Sequence, residues 1–243
     1  MLHITLKGQA DLQIRYNQLP YIGDQPPIPT EHVMAILSIF TAYSKGDTCG
    51  IHLIHRHREI PAGTIRLETK FSDSPGTWSK AVPIKGLDIA NIHPTEYKLK
   101  DGKFTGYTFA EGPSPNTFTE ADLDMFNEVI DYLQKHKLTE LVAVQIGHFD
   151  AGLEKTTELE VVGLNAVDLG TVTLPGSMVN AEKTVPTGYN ATLLINQPDK
   201  PPAGQAWAET IKATHRVFIN KPAGVGPGEL MDALRAINAV KAA

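Results

Sequence analysis

The stretch Cys49-Gly-Ile-His-Leu-Ile-His-Arg-His-Arg-Glu59 carries three of the nine histidines in the chain. Alternate side chains of a strand share a face. Read as a strand, it points Ile51, Leu53, His55, His57 and Glu59 one way, and His52, Ile54, Arg56 and Arg58 the other. One face then runs from apolar residues into two imidazoles and a carboxylate. Both groups are ligands for divalent transition metals. Two residues apart on a strand, His55 and His57 stand about 7 Å apart at the backbone, so both rings can tilt onto one ion. The plainer alternative is a histidine pair held only by hydrogen bonds.

Working outward, Ile60-Pro-Ala-Gly-Thr64 reads as a tight turn. Proline presets its first position, and Gly63 suits a left-handed one. Residues 65–69 are expected to return antiparallel as the second arm of a hairpin. A three-residue loop places Leu67 opposite His57 and pairs Arg56 with Glu68. A two-residue loop places Glu68 itself opposite His57. Glu59 and Glu68 are therefore the candidate catalytic carboxylates, with pairing to Arg56, Arg58 or Arg66 as the alternative for both.

Residues 2–7 and 12–16 alternate weakly and read as edge strands. Thr30 is placed to cap a helix over residues 31–43, with Val33, Ile36, Leu37 and Phe40 at helical spacing. Residues 71–80 read as a Ser/Pro/Gly loop. Asp101-Gly102 signals a type I′ hairpin between residues 95–99 and 103–109. Thr119 and Asp122 form a variant capping box ahead of a helix over residues 120–136, whose stripe is Leu123, Phe126, Val129, Ile130 and Leu133. Strands follow at 141–148, 158–162, 171–174, 189–196 and 215–219. The last helix is expected over 229–240. Hairpin-linked strands outnumber helices. The expected fold is α+β, with a mainly antiparallel sheet (sandwich or open barrel) and about three helices, in a single domain spanning 1–243.

The 243 residues are 42% apolar and carry a net charge of −5. That supports a sizeable core and offers no basic footprint for nucleic acid. The one cysteine, Cys49, has no intrachain partner and favours a reducing compartment. No segment reads as a signal peptide or a membrane span, so a cytoplasmic protein is expected. The chain lacks a G-x-S-x-G, a phosphate loop and a G-x-G-x-x-G, which leaves serine-hydrolase and nucleotide chemistry without support.

A metal needs a third ligand. His148 ends an apolar row, Val142, Val144 and Ile146, that faces inward, and is the preferred choice. His215, ahead of Val217 and Ile219, is the next. His52 falls on the opposite face from His55.

Gly50-x4-His55-x-His57 resembles the first motif of the cupins, β-barrels that hold a metal through two histidines, a glutamate and a later histidine. The resemblance spans about ten residues. Pro61 and Ala62 stand where cupins place their glutamate, so it implies a style of ligation rather than a fold. Leu53-Ile-His-Arg-His57, Ala110-Glu-Gly-Pro-Ser-Pro115 and His215-Arg-Val-Phe218 resemble a group of fungal proteins of similar length that has no assigned activity. A fungal source is what that resemblance implies.

The residues thus point to an enzyme acting on a small-molecule substrate through a His-ligated divalent transition metal (Zn, Fe, Mn or Ni) held by His55, His57 and His148. Lyase or isomerase, hydrolase and oxygenase chemistries stay open, as does homo-oligomer formation. The alternative is a metal-free binding protein or pocket enzyme that uses histidine acid–base chemistry. A noncatalytic scaffold subunit is a third reading.

Overall fold

The structure, a computed structural model, describes residues 9–114, 118–147, 156–180, 187–191 and 216–241. Within them lie four α-helices: α1 (Gln9–Asn17), α2 (Thr30–Ala42), α3 (Leu123–Lys135) and α4 (Pro227–Ala236). The strands are β1 (Cys49–Leu53), β2 (Thr64–Lys70), β3 (Thr77–Pro83), β4 (Ile92–Lys100), β5 (Lys103–Glu111), β6 (Val142–Ile146), β7 (Thr156–Val162), β8 (Asp168–Pro175), β9 (Gly188–Asn190) and β10 (Arg216–Phe218). They form one sheet in the order β10-β7-β8-β3-β2-β5-β4-β6-β1-β9. Only the β2–β5 and β7–β10 pairings are parallel, so the fold is α+β with a mostly antiparallel sheet.

The sheet has one apolar face and one polar face. Ile51 and Leu53 of β1, Tyr97 and Leu99 of β4 and Val142 and Val144 of β6 pack with buried residues of α2 and α3. Met125, Phe126, Val129 and Leu133 of α3 are all buried there, each contributing about 1.5–3 kcal/mol. Leu159 and Val161 of β7 and Val172 and Leu174 of β8 pack with Leu230, Met231 and Leu234 of α4. By period two, the other face carries His52, Arg66, Glu68, Ser79, Glu96, Glu158, Glu160 and Thr171.

Several sequence expectations are corrected. Residues 12–16 are helical, within α1. Leu12 and Tyr16, four apart, are both buried, while Ile14 between them is exposed. A helix satisfies that pattern and a strand does not. Pro29, not Thr30, occupies the N-cap of α2. Thr77 to Lys80, expected in a loop, belong to β3. The 120–136 helix opens with a 3-10 turn, Glu120–Asp122, where the Asp122 carboxylate accepts from the Thr119 N–H (2.7 Å) and hydroxyl (3.1 Å). The last helix ends at Ala236 and leaves Ile237 exposed. Residues 2–7, His148, residues 192–196 and His215 lie outside the described residues.

The Asp101–Gly102 hairpin forms, with both residues at positive φ and Lys100 paired to Lys103. The hairpin expected at Pro61–Gly63 does not. The turn is present, with the Thr64 N–H on the Pro61 carbonyl at 3.3 Å. However, β2 pairs with β3 and β5, never with β1, so neither proposed register exists.

Nor is 49–59 one strand: β1 stops at Leu53. Ile54 is fully buried in a small cluster with Tyr16, Leu19, Ile60 and Tyr107, and that burial draws the chain off the sheet. The departing segment is tied down through the Arg56 N–H to the Pro20 carbonyl (2.8 Å) and the Ile22 N–H to the Arg56 carbonyl (3.1 Å). The Asn17 amide grips Ile60 at both its N–H (2.8 Å) and its carbonyl (2.9 Å).

Candidate metal centre

Because β1 ends at Leu53, alternation does not extend to the histidines. Ile51 and Leu53 lie in the helix-covered core, and His55 turns to the polar side. There it stacks on His52, with ring centroids 5.0 Å apart. His52 was expected on the opposite face, and the break in strand phase brings it back. His57 meets His55 edge-on, with its Nε2 3.2 Å from the His55 Nε2.

Glu158 of β7 completes the group. Its Oε2 lies 3.1 Å from the His57 Nε2 and 4.0 Å from the His55 Nε2. One ligand atom from each of the three residues falls within 4.8 Å of the others. Two ligands at about 2.1 Å from an ion, subtending 90–110°, stand roughly 2.9–3.4 Å apart. Two of the three separations already match. The third closes if Glu158, whose side chain is 30% exposed, shifts by less than about 1 Å. Two imidazoles and one carboxylate are the donor set of sites that keep coordination positions for water or substrate.

The protonation states of His55 and Glu158 suit ligation. The His55 Nδ1 lies 2.7 Å from the Leu53 carbonyl, an acceptor, so Nδ1 carries the proton and Nε2 presents its lone pair. A backbone carbonyl holding the remote nitrogen of a ligand histidine is a recurrent support for metal binding. Burial, then the neighbouring His52 and His57, push the His55 imidazolium down to about 3, so the ring is neutral. Burial opposes ionisation of Glu158, but His57, by charge and by hydrogen bond, holds its carboxyl well below the usual range. The neutral His55 imidazole and the Glu158 carboxylate are the forms a cation takes, and a bound ion would displace the proton that the His57 Nε2 directs at Glu158. The His57 Nδ1 has no such support: it is buried without a hydrogen-bond partner among the described residues.

Around the triad sits a polar layer. The His52 Nδ1 is 3.4 Å from the Glu96 Oε1, too poorly aligned for a hydrogen bond. The Thr108 hydroxyl donates to Glu96 at 2.8 Å. Arg58, beside His57, donates to Glu160 at 3.1 Å, and Arg216 reaches the same carboxylate at 3.1 Å. Burial, and then the charge of Glu96, push Glu68 up to about 7 against a hydrogen bond from Thr77. Glu68 is thus placed on the polar face through β2 itself, not through a hairpin. Glu59 does not join the group: its side chain is 70% exposed and pairs with Arg56 at 3.7 Å.

Glu158 was not among the sequence candidates. Its strand alternates Glu158-Leu-Glu160-Val, two carboxylates facing where apolar residues are expected. That is a signal of a polar interior, but it does not reveal that β7 faces the segment after β1. A groove of about 800 Å³ bordered by Arg15, Lys98 and Lys137 shares no residue with the triad. No family model, curated protein or solved structure matches this chain.

Proposed function

We propose that the protein is an enzyme acting on a small organic molecule through one divalent transition metal (zinc, iron, manganese or nickel) ligated by His55, His57 and Glu158. The observation that supports this reading is the convergence of those three ligand atoms, with His55 already oriented by Leu53. The ion would polarise a bound oxygen or activate a water, or, as iron, keep positions for oxygen. Lyase or isomerase, hydrolase and oxygenase chemistries all fit this role. Glu68, poised near neutrality, would serve as the general acid or base. We read the sheet as an open barrel around this chemistry: the segment after β1, ninth in strand order, touches β7, second in order.

Elemental analysis after equilibration with each metal and dialysis tests the reading. About one ion per chain is expected, lost in His57→Ala and Glu158→Ala with the far-UV circular dichroism unchanged. A folded wild-type protein that retains no metal rejects it. Glu68 also favours a second reading, a metal-free pocket enzyme, for which chelator-treated protein keeps its full turnover.

A further inference from the structure

The polar face also holds a buried cation that the metal centre does not use. Arg66 of β2 is only 3% exposed. Its side chain crosses β3 above Ala81 and Ser79, small residues that leave it room, and its Nη2 donates to the Thr171 hydroxyl on β8. A guanidinium has five N–H donors. Among the described residues, Thr171 is its one hydrogen-bond partner, and it forms no ion pair. Glu160, directly across from Thr171, is already taken by Arg58 and Arg216.

A second, independent feature lies at the same place. Ser79 pairs with Thr171 across β3 and β8, and its buried hydroxyl has no hydrogen-bond partner among the described residues. A third group links this spot to the triad. The Tyr16 hydroxyl sits close to the His57 backbone and in the field of both Arg66 and Glu158. Burying a cation with most donors unspent is costly, and an anion that accepts from them offsets the cost.

We propose that Arg66, with Thr171 and Ser79, anchors the carboxylate of a small organic acid whose other end reaches the metal held by His55, His57 and Glu158. The second half of this statement rests on the metal-centre reading; the anchor itself does not. A planar carboxylate matches the guanidinium fork. The span also suits a small acid: Thr171 is the diagonal neighbour of Glu158 across the β7–β8 pair, roughly 7–8 Å between strand positions.

Isothermal titration calorimetry at constant ionic strength tests this. The probes are acetate, pyruvate and succinate, against their neutral amides acetamide, pyruvamide and succinamide. Chelator-treated and cobalt-loaded protein are both titrated, as wild type, Arg66→Gln, Thr171→Val and Ser79→Ala, each checked for folding by circular dichroism. At least one carboxylate should bind the wild type tenfold or more tightly than its amide in both forms, and Arg66→Gln should erase that preference. Thr171→Val and Ser79→Ala should weaken it severalfold, and they decide the matter if Arg66→Gln does not fold. Cobalt should tighten pyruvate, with its second oxygen donor, more than acetate. An equal preference in Arg66→Gln, or no preference in the wild type, overturns the anchor. A preference in chelator-treated protein that takes up no cobalt leaves the anchor standing and rejects the metal reading instead.

Discussion

The Nε2 atoms of His55 and His57 face each other at 3.2 Å, with the His55 proton committed to the Leu53 carbonyl on the far side of its ring. A cation held between them and Glu158, as proposed, would favour the folded chain, because the unfolded chain does not hold β7 near residue 57. Zinc at 100 times its dissociation constant should therefore add about 2.7 kcal/mol to stability. For a chain of this size that is a rise of roughly 5–10 °C in melting temperature. Differential scanning calorimetry of wild type and Glu158→Ala checks it. The rise should vanish in the variant, and a rise of equal size in both would exclude this site.

Glu68 makes stability depend on pH. Its folded-state carboxyl is pushed from 4.5 up to about 7. Between those values the folded state binds more protons than the unfolded state, so stability falls as pH rises across this window and levels off above it. Urea unfolding from pH 4.5 to 8 should show that descent, and Glu68→Gln should flatten it. A variant that keeps the wild-type slope would place the titration elsewhere.

The Glu160 side chain is 1% exposed between the guanidinium groups of Arg58 and Arg216. Glu160→Ala leaves both cations unmatched and should cost on the order of 3 kcal/mol, the arginines' partial exposure holding it at the low end for a broken buried pair. Glu160→Gln keeps hydrogen-bonding capacity and should cost less. Chemical denaturation measures both, and equal losses would show that packing rather than charge holds this junction.

Gly170 opens the run of β8 that carries Thr171. Its φ is +95°, and a β-carbon there would run into the Ser79 carbonyl oxygen. Gly170→Ala meets both a disfavoured backbone conformation and a backbone obstacle that cannot rotate away. The expected result is a loss of at least about 2 kcal/mol, read from the urea midpoint. A change below about 0.5 kcal/mol would mean that β3 and β8 are spaced more loosely.

Cys49 is fully buried, and burial pushes its thiol up to about 12. Thiolate is the reactive form, so at pH 8 the folded protein should react with Ellman's reagent at least roughly 1000-fold more slowly than an exposed thiol. Denaturation should release one reactive group per chain. Rapid labelling of the native protein would contradict the packing of β1 against α2.

Local chemistry made parts of this protein readable from the residues in order. The stripe of α3 is written at helical spacing, the Asp101–Gly102 turn needs only two residues able to take positive φ, and the pairing of His55 with His57 follows from their nearness in the chain. None of these depends on a distant partner. What the tertiary structure alone decided is where β1 stops and what stands opposite. Period two made Ile51, Leu53 and both histidines one face. Ile54, drawn into a cluster with Tyr16 and Tyr107, ended the strand and put the histidines on the other face beside His52. The same long-range packing turned residues 12–16 into a helix and gave β2 to β3 and β5 instead of β1. Glu158 became the third member of the group for the same reason: it is 101 residues from His57 in the chain, and only the course of a ten-stranded sheet brings its carboxylate within 3.1 Å of that ring.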